Sequence, residues 1–410
     1  MCVLNSRRWL IGLLFPVVLF PCAAVAQIDP VKRELVQFGY NQSIEGQSPL
    51  SAYAFYYYNQ PDFLSDSNLT LRLAVAPVYV DSELGFSHLL GPNTDVGVGL
   101  AGGGFADSYY ETREGKYLKA ESFIGHGVTG SGSIYHLFDP GELIPLSGIL
   151  RGEAHYADYI RDDTAPNFVL PNDLTGFNVR TGLRFGGKEP VLTPELAMEL
   201  SVWYEGQFRL NSGDYGYNND RHVESLSQLF WCRALLAYTL PESKQNFMIS
   251  ITAGDSMDAD RFSAYRLGGF LPLAAEFPLS LPGYFYQELS ATRFALVNAN
   301  YSVPLDPAKR FAITAVASTA TMEYLPGLEQ PGHLNSGVGG GLSYHSKSDA
   351  WNVLLDYGYG IDAIRDHGRG AQTVGILVQI NLERTRGRYY DPENNGGVLR
   401  GLNNFVHSMF

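Results

Sequence analysis

Apolar and polar residues alternate in stretch after stretch of this chain. From Glu199 to Leu210, one side of a strand carries Leu200, Val202, Tyr204, Phe208 and Leu210. The other side carries Glu199, Ser201, Glu205, Gln207 and Arg209, with Trp203 as the exception. Successive side chains of a strand point to opposite faces, so this segment has one greasy wall and one wet, charged wall. The pattern recurs at Leu69, Leu71, Leu73, Val75 and Tyr79 against Thr70, Arg72, Ala74 and Ala76, and at Phe177, Val179, Leu183 and Phe185 against Asn178, Arg180, Gly182 and Arg184. It appears again in 247–252, in 352–361 with inward Asp356, and in 373–382. Weaker candidates lie near 34–42, 50–59, 83–90, 94–106, 119–137, 148–160, 226–240, 262–270, 292–304, 309–320 and 334–346. The expected fold is all-β: a transmembrane antiparallel β-barrel of about sixteen strands with lipid outside and water inside. A soluble β-sandwich also alternates, but so many one-sided strands without continuous apolar runs favour the barrel.

The N-terminus supports export. Arg7 and Arg8 precede an apolar core from Trp9 to Phe20 and the small-residue motif Ala24-Val25-Ala26, which reads as a signal peptide over 1–26, cleaved after Ala26. Removing it takes Cys2 and Cys22 away and leaves Cys232 alone, which excludes a disulfide framework and a cysteine metal site. It also removes two arginines, leaving 27 basic residues against 42 acidic, a net charge of about −15. Such a chain carries no electrostatic footprint for nucleic acid and is compatible with lipid and lipopolysaccharide as surroundings. After the leader no run of eighteen apolar residues occurs, so helical spans are excluded while strands are not.

The 26 tyrosines, 23 phenylalanines and 44 glycines suit interfacial aromatic girdles and tight turns. Long polar connections near 161–175 and 211–223 suit outer-surface loops, and the short ones at 240–246 and 305–310 suit periplasmic turns. The expected organisation is a barrel over 27–383 and a C-terminal tail over 384–410, with no room for an N-terminal periplasmic domain. The Gly102–Gly104 and Gly337–Gly341 runs lack a following helix or lysine, so they read as strand bends rather than phosphate cradles.

The sharpest motif lies in 264–305. It comprises Ala264 to Phe270 (with Leu267-Gly268-Gly269-Phe270), then Leu281-Pro282-Gly283-Tyr284-Phe285-Tyr286-Gln287-Glu288-Leu289, then Arg293 to Tyr301. This block resembles the surface-antigen superfamily of outer-membrane barrels, which includes the BamA and TamA insertases and the two-partner secretion transporters. The resemblance implies a loop near 271–290 folded into the lumen, with Gly283 and Tyr284 at its tip, Glu288 in the turn after it, and Gly268, Gly269 and Phe270 in the approach. Pro282 stands where the family's tip arginine would be. The implied role is protein insertion or export through a laterally weak first/last strand seam, near 34–42 and 372–382. Unfolded barrel clients or a periplasmic partner are the implied partners, since the family's periplasmic receptor domains are lacking.

No catalytic, metal or cofactor set stands out. The nine histidines are scattered without metal spacing. Arg151, Glu153 and His155 form a trio facing the lumen that reads as part of a hydrated charge network. Arg72, Arg180, Arg184 and Arg209 are expected to line the bore opposite Glu199, Glu205 and Asp356. That lining gives the alternative reading, a passive porin-like solute channel. The expected location is the cell outer membrane, and no enzymatic activity is expected.

Overall fold

The computed structural model describes residue 28 and residues 31–142, 144–187, 194–272, 275–348 and 350–389. The leader over 1–26 and tail residues 390–410 lie outside the described residues. Sixteen long strands form one closed antiparallel barrel. The first five are the shortest: β1 (Arg33–Ser43), β2 (Ala52–Pro61), β3 (Leu69–Ala76), β4 (Tyr79–Phe86) and β5 (Thr94–Gly103). Then come β6 (Ile124–Leu137), β7 (Leu146–Ile160), β8 (Leu174–Gly187), β9 (Leu196–Arg209), β10 (Leu226–Thr239) and β11 (Asn246–Met257). The circuit ends with β12 (Leu289–Pro304), β13 (Phe311–Tyr324), β14 (Leu334–His345), β15 (Trp351–Arg365) and β16 (Gly368–Asn381). A short helix, α1 (Leu382–Tyr389), follows β16 at the start of the tail.

Each strand pairs with its sequence neighbours, and β16 returns to β1. Closure spends the backbone donors and acceptors of both edges, which is what a lipid environment demands. An even number of strands brings the start of β1 and the end of β16 to one rim, the termini rim, together with the short turns 240–245 and 305–310. The long connections 104–123, 161–173, 210–225 and 258–288 lie at the other rim.

The alternation becomes an outside and an inside. Along β9, Leu200 and Val202 are exposed, whereas Glu199, Ser201, Trp203, Glu205 and Arg209 are buried. Phe177, Ile249, Ile251, Val338, Leu342 and Leu355 continue the exposed apolar belt on other strands. A belt of this extent on the outside of a closed sheet marks a lipid-facing surface.

Three strand expectations change. The candidate at 262–270 is not part of the wall: only Tyr265–Leu267 is extended, and it pairs with the start of β12 from the loop. The pattern read through Tyr79 as one strand breaks at Pro77-Val78, a two-residue turn, so that Tyr79 opens β4 and lines the lumen cavity. The strand expected at 83–90 is this β4 and ends at Phe86.

Candidate functional site: a loop anchored across the lumen

The connection between β11 and β12, residues 258–288, enters the barrel and crosses its bore. Its entrance is fixed by Asp260. That carboxylate accepts the backbone N–H groups of Phe262 at 2.9 Å, Ser263 at 3.0 Å and Glu224 at 2.9 Å, and it pairs with buried Arg209. Tyr265–Leu267 then adds to β12, opposite Leu289–Ala291. Gly268 follows at a φ of +139°, where a Cβ would lie 2.1 Å from the carbonyl oxygen of Phe285. Only glycine lets the descending limb pass this close to the returning one. Phe270 and Leu271 come next, and Leu271 packs against Leu354 of β15 and Leu377 of β16.

The loop then reaches the opposite wall. Phe277 meets two tryptophans that face inward in register on β9 and β10, Trp203 and Trp231, which stack with centroids 6.0 Å apart. Its ring is edge-on to both, at 5.4 and 5.8 Å. Three arginines frame these rings. Arg184 lies 5.0 Å over Trp203, Arg180 lies 5.6 Å over Trp231 and Arg233 lies 4.6 Å over Phe277. Each has a carboxylate: Arg180 holds Glu205 at 2.6 Å, Arg233 holds Glu199 at 2.5 Å, and Arg184 holds Glu276 of the loop. Burial pushes the Glu276 carboxyl up, but Arg184, with Arg180 and Arg233 behind it, outweighs this and holds it below the usual carboxylate range.

The returning limb is seated on bare backbone. Gly337 and Gly339 of β14 and Gly358 and Gly360 of β15 form a smooth patch against which Pro282 and Gly283 lie. A Cβ on Gly337 would sit 2.2 Å from the Pro282 carbonyl oxygen, and one on Gly283 (φ +83°) would sit 1.8 Å from the Gly360 nitrogen. The Gly337–Gly341 run expected as a strand bend is thus a seat: it lies within β14, and removing side chains there lets the loop dock. Gly283 N–H donates to Thr373 Oγ1 at 3.2 Å, and Tyr284 and Phe285 are fully buried.

Glu288 closes the seat. It is 1% exposed. Its carboxylate accepts the Phe285 N–H at 2.6 Å and both terminal nitrogens of Arg365 on β15, at 2.8 and 3.0 Å. Arg365 also lies 3.8 Å over the Phe285 ring. A bidentate pair of this kind, sealed from water, is held by geometry as well as charge. The resemblance leads one to expect an arginine where Pro282 stands; the loop is pinned by an arginine–carboxylate bond in which the wall supplies the arginine and the loop the carboxylate.

The structure gathers most of the expected site residues but not all. Gly268, Gly269, Phe270, Pro282, Gly283, Tyr284 and Glu288 all lie within the 258–288 loop. Glu276 and Phe277 meet the β8–β10 wall, whereas Gly283-Tyr284, expected at the tip, sits on the returning limb against β15. Arg180 and Glu205, and Arg184 and Glu199 at 3.9 Å, face one another in the lumen. Arg72 pairs instead with Glu83 at 2.9 Å, and Arg209 with Asp260. Asp356 stands apart from the arginines, inward beside Gly375 and Gly341. The trio on β7 divides, because Arg151 pairs with Glu153 at 2.8 Å while His155 turns to Asp107 at 3.2 Å. Arg365, Arg233, Trp231 and Phe277 were not singled out in the sequence.

The expected seam is closed. Leu35–Ser43 of β1 pairs with Thr373–Asn381 of β16, and beyond the ladder Gln372 Nε2 and His367 Nε2 reach Glu45 at 2.9 and 2.6 Å. The shortest ladder in the wall joins β2 to β3, over Tyr56–Pro61 and Thr70–Val75.

A closed sixteen-stranded antiparallel barrel with an apolar exterior and a loop through its bore defines the outer-membrane class of β-barrels. No protein-family model matches the sequence, and neither does any curated protein. Among solved structures, CdiB from Escherichia coli superposes with a TM-score of 0.54 at 13% identity, over 86% of this chain and 63% of that one. CdiB from Acinetobacter baumannii gives 0.53 at 10%, over 85% and 60%. BamA from Haemophilus ducreyi lacking POTRA domains 1–3 gives 0.51 at 11%, over 85% and 70%. The chain spans about three fifths of the CdiB chains it matches. At these identities the likeness is one of fold: the protein has the barrel architecture of CdiB and BamA, in agreement with the resemblance read from residues 264–305.

Proposed function

We propose that this protein is exported by a cleaved leader to the cell outer membrane, among lipid and lipopolysaccharide, and there assists insertion or export of polypeptides. The observation that carries this reading is the 258–288 loop, anchored on two opposite walls of the bore. A loop held across the bore opposes steady passage and suits a plug that is displaced when a polypeptide is handled. Clients are unfolded chains handed over by a periplasmic partner, and the β1–β16 seam offers strand edges for pairing once it parts. The porin-like alternative requires a steady open bore, which a loop crossing the lumen opposes. In a Cys232→Ser background, Phe38→Cys with Val378→Cys locks the seam, since these residues are partners across it. In liposomes the locked barrel should lose its acceleration of the folding of a urea-denatured barrel client and regain it on reduction. A locked barrel as active as the reduced one, or no acceleration by the unlocked barrel, would refute the proposal.

A further inference from the structure

On the termini side of the loop the lumen holds a cavity of about 1160 Å³. Its two walls differ in chemistry. On β2, Tyr53, Phe55 and Tyr57 all face inward, in line along one strand, with Tyr53 and Phe55 stacked at 5.4 Å. The bore of a membrane barrel is ordinarily polar, so three rings in a row on its wet face are unexpected. The loop accounts for one of them, since Tyr53 packs, as Phe270 and Tyr286 do, against the cluster of Leu271, Leu354 and Leu377. Phe55 and Tyr57 continue the row along the cavity wall.

Across from them stand arginines joined to carboxylates: Arg180 with Glu205 at 2.6 Å, Arg233 with Glu199 at 2.5 Å, and Arg151 with Glu153 at 2.8 Å. A wall of this kind carries little net charge yet offers hydrogen-bond donors and acceptors at fixed positions. Aromatic rings opposite paired ions suit a ligand with C–H faces and hydroxyl edges. A phosphorylated or sulfated ligand would have to break these pairs. A polypeptide strand would need a free sheet edge, and closure has paired the strands of this wall on both sides.

We propose that this cavity binds a neutral oligosaccharide chain, stacked on Phe55 and Tyr57 and hydrogen-bonded to the paired charges opposite. The site is independent of the insertion role, which rests on the loop anchors and the seam. Trp203 lines the same cavity and serves as a reporter. The full barrel in detergent is titrated with maltohexaose and, separately, chitohexaose, following tryptophan fluorescence. Heat-modifiable migration on gels certifies each variant as folded. Saturable quenching by either sugar is expected, roughly tenfold weaker in Tyr57→Ala. Phe55→Leu, which keeps apolar volume and loses the ring, should weaken it in the same direction. No saturation with either sugar overturns the proposal, as does saturation that both variants leave unchanged. Ring-dependent binding of an unfolded barrel polypeptide in place of the sugars also overturns it and gives the cavity to the client.

Discussion

The two walls that hold the loop solve the same problem by opposite means. The β8–β10 wall is crowded: two tryptophans and three arginines close around Phe277 and Glu276. The β14–β16 wall is stripped to glycine, so that backbone lies on backbone, and one buried ion pair pins it. A crowded seat gains from many weak contacts and tolerates the loss of one. A bare seat depends on fit and on few bonds, chiefly the Arg365–Glu288 pair, so single changes there should be felt far more.

The largest effect is expected at that bond. Arg365→Ala leaves the Glu288 carboxylate sealed without its partner, which costs about 3–5 kcal/mol. Denaturant unfolding, with limited proteolysis of the loop, should show the loss. Removing the stranded charge through Glu288→Gln in the same chain should recover part of it. Next comes the glycine seat. Gly337→Ala drives a methyl into the Pro282 carbonyl and should cost about 1–3 kcal/mol, with the loop becoming protease-sensitive while the barrel stays folded. On the crowded wall, Phe277→Ala removes two edge contacts and two cation–π contacts, together about 1–3 kcal/mol, and Phe277→Leu should recover much of the packing.

The smallest effect is that of acid on the crowded wall. The Glu276 carboxyl titrates below its unfolded value of about 4.3, so its contribution is fully present above that pH and is lost as pH falls through the lower, folded value. Hydrogen exchange across 275–279 should therefore quicken only in strong acid. Glu276→Gln should remove that pH dependence.

Much of the barrel was legible in the sequence, because lipid and water impose a period of two on every spanning strand. Leu200 and Val202 against Glu199 and Ser201 needed no tertiary information. Trp203 broke that pattern, and the break was a signal: with Trp231 opposite it in register, a ring pair on the wet wall marks where something folds in. The motif at 281–289 likewise pointed to a lumen loop. Arg365 was hidden for a physical reason. The register of β15 against β16 shifts between Gly360 and Ile364, and the buried side passes from Gly358 and Gly360 to Ala363 and Arg365. A bulge changes which face a residue serves, and alternation read through it gives the wrong side. The partners of Arg72 and Arg209 were hidden differently, since Glu83 and Asp260 lie across a turn and in a loop that the pattern alone cannot place.

Single-channel recording in planar bilayers tests most directly whether the loop stoppers the bore. The intact barrel should stay closed apart from brief openings, while a chain lacking 271–288, or one combining Arg365→Ala with Phe277→Ala, should pass a steady current that scales with salt. An intact barrel conducting as steadily as the deleted one would contradict the account.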